Sequence, residues 1–177
     1  AGNVDNLVYA VMNAFYIACS SFVGQNYGAG KADRVRRSYL LTLGYSALAA
    51  AVFGGLFLLF GRQFLSLFTP EADVIDAGLQ RIAVMCFSFP LSALMDNTTA
   101  ASRGIGKGLV PMIFVFLGSC VFRVLWIYTI FAHFRTIGSL YLLYPFSWLI
   151  TGTAEIVYFL YCYKKYVRLL GASHAAE

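Results

Sequence analysis

The chain has 177 residues, of which 60% are hydrophobic, 17% aromatic and 12% charged, with a formal net charge of +5. A soluble domain carries roughly 25% charged residues, so this composition excludes an ordinary water-soluble domain and points to a chain that lives in a bilayer. The basic surplus sits at the ends of apolar runs, which marks membrane orientation and excludes nucleic acid as a partner.

A helix needs about 20 apolar residues to cross the hydrocarbon, and the apolar runs predict five such spans. The first covers about Val4 to Val23, with Asn6, Tyr9, Asn13, Tyr16 and Ser20 recurring every three or four residues on one helical face. After it comes FVGQNYGAGKADRVRR, residues 22–37, a glycine-rich turn followed by Lys31, Arg34, Arg36 and Arg37 against a single Asp33. Gly24, Gly28 and Gly30 suit sharp turning or close packing, and the basic block marks a cytoplasmic loop. The second span covers about Tyr39 to Phe60. Residues 33–37 read as a helical turn at the interface, and Thr69 and Pro70 as the N-cap and first residue of another over residues 70–77.

The third span, about Leu79 to Ser102, places Ser88, Ser92, Asp96 and Thr99 on one face and ends at Arg103. Pro90 within it removes the intrahelical bond to the Cys86 carbonyl. The fourth, about Leu109 to Phe131, carries Arg123 near its middle. The fifth, about Ile137 to Tyr163, repeats the polar stripe with Ser147, Thr151, Glu155 and Tyr158, contains Pro145, and leads into Lys164, Lys165 and Arg168. The basic connections alternate with poorly basic ones. With the basic ones in the cytoplasm, the first residue lies outside and the last inside. The fold class is therefore all-α and polytopic, with a transmembrane bundle over 1–170 and a cytoplasmic tail over 171–177. The opening, without a signal peptide, reads as the middle of a longer protein.

Polar side chains in lipid are costly, so the three stripes should face protein or water and can enclose a polar cavity. Serine and threonine alone also serve as glue between helices. Asp96, Glu155 and Arg123 form the charged candidates: either Arg123 neutralises one or both acids, or an acid left over binds a cation or proton. Burial disfavours the charged form of a carboxylate, so such a group can alternate between protonated and ion-bound states. Asn6, Tyr9, Asn13, Tyr16, Ser88, Ser92, Ser147, Trp148 and Thr151 are the cavity candidates, with Tyr9, Tyr16 and Trp148 open to cation–π contacts.

Other chemistry finds no support. Residues 24–31 lack the spacing of a P-loop, and Gly104, Gly106 and Gly108 follow a membrane helix rather than a strand, so neither run is a phosphate site. The two histidines, His133 and His174, give no HExxH, and the four cysteines show no CxxC. No metal, cofactor or enzyme activity is expected.

Four segments resemble multidrug and toxin extrusion (MATE) transporters. GQNYGAGKADRVRR is similar to a GQN-x-GAG-x(3)-R signature and SRGIGKGLVPM, residues 102–112, to an RG-x-G turn followed by Pro-Met. FRVLWIYTIF and LYLLYPFSWLITG look like the last two helices. The resemblance implies helices eight to twelve, most of one six-helix lobe in a twelve-helix transporter, with a missing N-terminal lobe as partner. It marks Gly24, Gln25, Asn26, Gly28, Gly30, Arg34, Arg103 and Gly104 as a cytoplasmic turn motif. It also implies export of small cationic or amphipathic drugs across the bacterial inner membrane, in exchange for protons or sodium ions. Asp96 falls on the equivalent of the tenth helix, about one turn nearer the cytoplasm than the acid of some relatives. Alternatives are a flippase of lipid-linked saccharides and a non-transporting membrane scaffold.

Overall fold

The computed structural model of the chain describes residues 2–67, 70–134 and 137–174, with side chains described at residue 6 and over 9–67, 70–86, 88–133 and 142–170. Among them every regular element is helical. Three long helices come first: α1 (Gly2–Gly28), α2 (Ala32–Ser66) and α3 (Ala72–Gly104). A fourth rod is built of α4 (Leu109–Phe116), a π-helical stretch (Leu117–Val121), α5 (Phe122–Trp126), a second π stretch (Ile127–Phe131) and α6 (Ala132–Phe134). The last rod is α7 (Ile137–His174).

The rods follow the five predicted spans but overrun them. α1 continues through the GQN motif to Gly28 and α2 begins at Ala32, so the connection expected over 24–38 shrinks to three residues. α3 begins at Ala72, with Glu71 as its extended N-cap residue. Pro70 therefore lies before the helix rather than at its first position, and Thr69 lies outside the described residues. α7 runs to His174, into the stretch expected to be a tail. Two rods, Ala32–Ser66 and Leu109–Phe131, contain an uninterrupted strongly apolar window, with mean hydropathy 2.0 and 2.1. The two halves of α3, Ala72–Cys86 and Ser88–Gly104, meet at a 49° bend, where Pro90 removes a helical bond to Cys86.

The bundle is inside-out relative to a soluble protein. Leu48, Leu59, Met112, Phe116 and Tyr128 are exposed, while Ser46, Asn97, Thr98, Ser102, Ser147 and Glu155 are buried. Lipid is as apolar as leucine, so the apolar faces turn outward, and between the helices Thr98, Ser147 and Glu155 bond to neighbours while Ser46 Oγ and Ser102 Oγ stay buried without a partner. α3 is the hub, packed against α1, α2 and α7, while the fourth rod leans mainly on α7.

Two apolar cores stack along α3. One gathers Met12, Phe57, Met85, Phe89, Met95 and Trp148. The other gathers Cys19, Val23, Val35, Tyr39, Ala100 and Phe159. On α3 the first core ends at Met95 and the second begins at Ala100, leaving one polar turn, residues 96–99, between them.

The connections at one end share a design. Gly30 and Gly106 have φ of 70° and 74°, a left-handed conformation that glycine adopts without a Cβ penalty. Lys31 donates its backbone N–H to the Asn26 carbonyl (3.0 Å) and Lys107 donates to that of Ser102 (2.8 Å), each closing a helix C-terminus in a Schellman turn. The two turns lie side by side. A Cβ on Gly24 would sit 3.3 Å from the Gly104 carbonyl oxygen, and one on Gly104 only 2.8 Å from Val23 Cγ1. The end of α7 closes the group, with the Tyr166 hydroxyl donating to the Tyr27 carbonyl (2.8 Å) and that of Tyr163 to Ala32 (3.2 Å).

Candidate functional site

The polar turn Asp96-Asn97-Thr98-Thr99 points four ways, as 100° per residue requires. Asp96 faces α1 across a cavity of about 360 Å³ lined by Tyr9, Asn13, Tyr16 and Asp96 itself. The Asn97 backbone carbonyl accepts from the Cys19 thiol of α1 at 3.5 Å, while its side-chain amide donates to the Ala93 carbonyl of its own helix at 2.9 Å. Thr98 shares a 2.9 Å hydrogen bond with the Tyr39 hydroxyl of α2. Thr99 donates at 2.8 Å to Glu155 Oε1 of α7. One helical turn thus ties α3 to α1, α2 and α7 and presents a carboxylate to the cavity.

Around Asp96 the setting is polar on the α1 side. Ser92, one turn earlier, donates to Asp96 Oδ2 at 3.3 Å. Tyr16 lies within electrostatic reach of Arg103, Asp96 and Glu155, and the Arg103 guanidinium sits 5.9 Å from its ring centroid. The cavity therefore offers a carboxylate, an amide and two tyrosine rings to a small cation or a cationic molecule.

Glu155 is fully buried, and its second oxygen, Oε2, has no partner. Thr151, one turn earlier on α7, also holds a buried hydroxyl without a partner. Arg123 reaches neither acid: among the described residues it makes no ion pair. Its guanidinium lies over the Tyr144 ring, 4.6 Å from the centroid. The charged triad considered from sequence is thus replaced by two separate acids and an arginine stacked elsewhere.

The stripes divide in the same way. Tyr9, Asn13 and Tyr16 of the α1 stripe line the cavity with Asp96, and Asn6 is exposed on the same helix. Ser88 bonds back to the Val84 carbonyl within its own helix (2.9 Å). Ser147 donates at 2.9 Å to the Gly118 carbonyl, which belongs to the π stretch of the fourth rod. Thr151 packs where a Cβ on Gly118 would otherwise lie. Trp148, 4% exposed, is part of the first core beside Tyr144 and not a cavity wall. Of the turn motif, Gly24 and Gly104 make the close helix crossing. Gln25 donates to Ser21 Oγ (3.4 Å), and Asn26 donates to the Phe22 carbonyl (2.8 Å) and to Ser38 Oγ (3.3 Å). Arg34 is exposed, and Gly28 faces open space.

Sequence periodicity missed Asn97, Thr98 and Tyr39. Its signal was present as four consecutive polar residues in an apolar span, a run no single stripe can hold.

Helices with apolar exteriors, a polar layer between two cores and an acid at an open cavity define a multi-pass helical membrane protein. Residues 1–129 match the MatE family model. The chain belongs to that family. Multidrug and toxin extrusion protein 1 of Homo sapiens and of Pongo abelii are each 30% identical to it over 107 residues, 60% of this chain and 19% of theirs. A probable multidrug resistance protein NorM of Idiomarina loihiensis is 26% identical over 115 residues, 65% of this chain and 25% of its own. The fold matches a solved structure described as the inward-facing conformation of a multidrug resistance MATE family transporter of the MOP superfamily. That match has a TM-score of 0.81 and 19% identity, and covers 94% of this chain and 39% of the other. The matched stretches thus span about a fifth to a quarter of the curated relatives' length.

Proposed function

We propose that the chain supplies helices eight to twelve of an ion-coupled exporter of cationic or amphipathic drugs, working with an N-terminal lobe across the bacterial inner membrane. The Tyr9–Asn13–Tyr16–Asp96 cavity carries this reading, because it sets one carboxylate and two aromatic rings on an open face. In a lobe of an alternating-access transporter, that face looks onto the partner lobe. Asp96 exchanges a proton or a sodium ion for the cationic drug, and Tyr9 and Tyr16 hold the drug by cation–π contact. Glu155, tied to Asp96's helix through Thr99, serves as a second acid of the same polar layer. The basic turns face the cytoplasm and the α2–α3 connection faces outward. No step forms or breaks a covalent bond, so the work is transport and not catalysis.

The test is dye efflux by the full-length protein in everted vesicles. Asp96→Asn keeps the size and a hydrogen-bonding partner for Ser92 but removes the charge. It should insert and melt as wild type while losing gradient-driven efflux at least about tenfold, the effect of removing roughly 1.4 kcal/mol of differential binding. Wild-type efflux in a folded Asp96→Asn variant would rule the coupling role out.

A further inference from the structure

We propose that the basic end of the bundle holds an anionic phospholipid, with its phosphate against Lys31, Arg34, Arg36 and Arg37 and an acyl chain along the outer face of α2. Two hollows adjoin there and share Asp33. One, about 470 Å³, lies between the α1–α2 turn, including Lys31 and Arg34, and the end of α7 at Val167 and Leu170. The other, about 400 Å³, is walled by Arg36, Arg37, Leu40 and Leu41.

The four cations are exposed, and among the described residues none makes an ion pair. One acid, Asp33, cannot neutralise four charges, so the hollows favour a phosphate. Their geometry is preset. Tyr163 and Tyr166 of α7 pin the turn at Ala32 and Tyr27, and Gly30 sits in its left-handed conformation beside Leu170. The backbone that carries the four cations is therefore held in place before the ligand arrives.

A lipid fits better than a soluble phosphate because of what lies one turn further along. Arg37, Leu41, Tyr45 and Leu48 follow at helical spacing, and Leu41, Tyr45 and Leu48 are 48%, 60% and 61% exposed on a helix apolar enough to span the bilayer. A headgroup at Arg37 places its acyl chain along that apolar row, in the hydrocarbon. This site needs only the bilayer and is independent of the transport reading.

The test uses the full-length protein, stripped of lipid in detergent and titrated with phosphatidylglycerol or phosphatidylcholine, with retention read by native mass spectrometry and a melting curve taken alongside. Phosphatidylglycerol should be retained in preference to phosphatidylcholine. Arg36→Gln with Arg37→Gln should weaken it by roughly 10- to 30-fold, as loss of two interfacial cations implies, without moving the melting temperature of the lipid-free protein. Arg36→Lys with Arg37→Lys should hold the lipid, and Asp33→Asn should hold it more tightly. Equal retention of the two lipids, full retention by the glutamine variant, or displacement of the lipid by millimolar inorganic phosphate would overturn the proposal.

Discussion

Glu155 has one carboxylate oxygen bonded to Thr99 and the other bonded to nothing, at full burial. Removing its single partner should therefore be felt. Thr99→Val should destabilise the protein by about 1 kcal/mol, the scale of a hydrogen bond between membrane helices. In a Glu155→Leu background the same change should cost almost nothing, so a double-mutant cycle in detergent melts isolates the pair. Additivity of the two changes would deny the bond. Glycines give a second test at this scale, because their surroundings differ so sharply. Gly104 has Val23 Cγ1 and the Ser20 carbonyl oxygen within 2.9 Å of where a Cβ would stand, while Gly28 has nothing within 4 Å. Gly104→Ala should force the ends of α1 and α3 apart at a cost of about 1–3 kcal/mol. Gly28→Ala should leave the melting temperature unchanged or raise it, since alanine restricts the unfolded chain more. Equal effects of the two substitutions would contradict the close crossing.

At the scale of elements, the basic turns and the α2–α3 connection sit at opposite ends of α2. In a protein with its native cysteines replaced, Ala29→Cys and Ala72→Cys should react from opposite sides of the membrane with an impermeant thiol reagent. Labelling of both from one side would remove α2 as a span. The rods themselves were legible in the sequence, because apolar runs of this length admit few readings and the polar residues of α1 recur at helical spacing. What stayed hidden depends on neighbours. Trp148 looked like a cavity aromatic, yet it packs beside Tyr144 in the first core. Arg123 was one candidate to neutralise one or both acids, yet it stacks on Tyr144, because its place on the fourth rod faces α7 rather than the polar turn of α3. Neither the π stretches nor the Gly24–Gly104 crossing has a local signature. The first depends on backbone geometry and the second joins residues 80 apart in sequence.

For the whole molecule, the open polar face at Asp96 is the property on which the proposed function turns. The buried polar layer ties α1, α2, α3 and α7 together, and the cavity of Asp96 opens on the side those helices leave free. Exposed to lipid, an aspartate costs up to roughly 2.5 to 3.5 kcal/mol at a helix centre by insertion scales, so in the proposed exporter a covering lobe would stabilise this face as well as complete the transport path. The isolated 177 residues should then insert poorly, or self-associate, and should move no drug. The most direct test of that claim is dye efflux in a pump-deficient bacterial strain expressing residues 1–177 alone, the remaining lobe alone, the two together, or the full-length protein. Efflux should appear only with the full-length protein or with both pieces present, and should collapse when the proton and sodium gradients are dissipated. Drug resistance from residues 1–177 alone would contradict the account and make this chain a self-sufficient exporter.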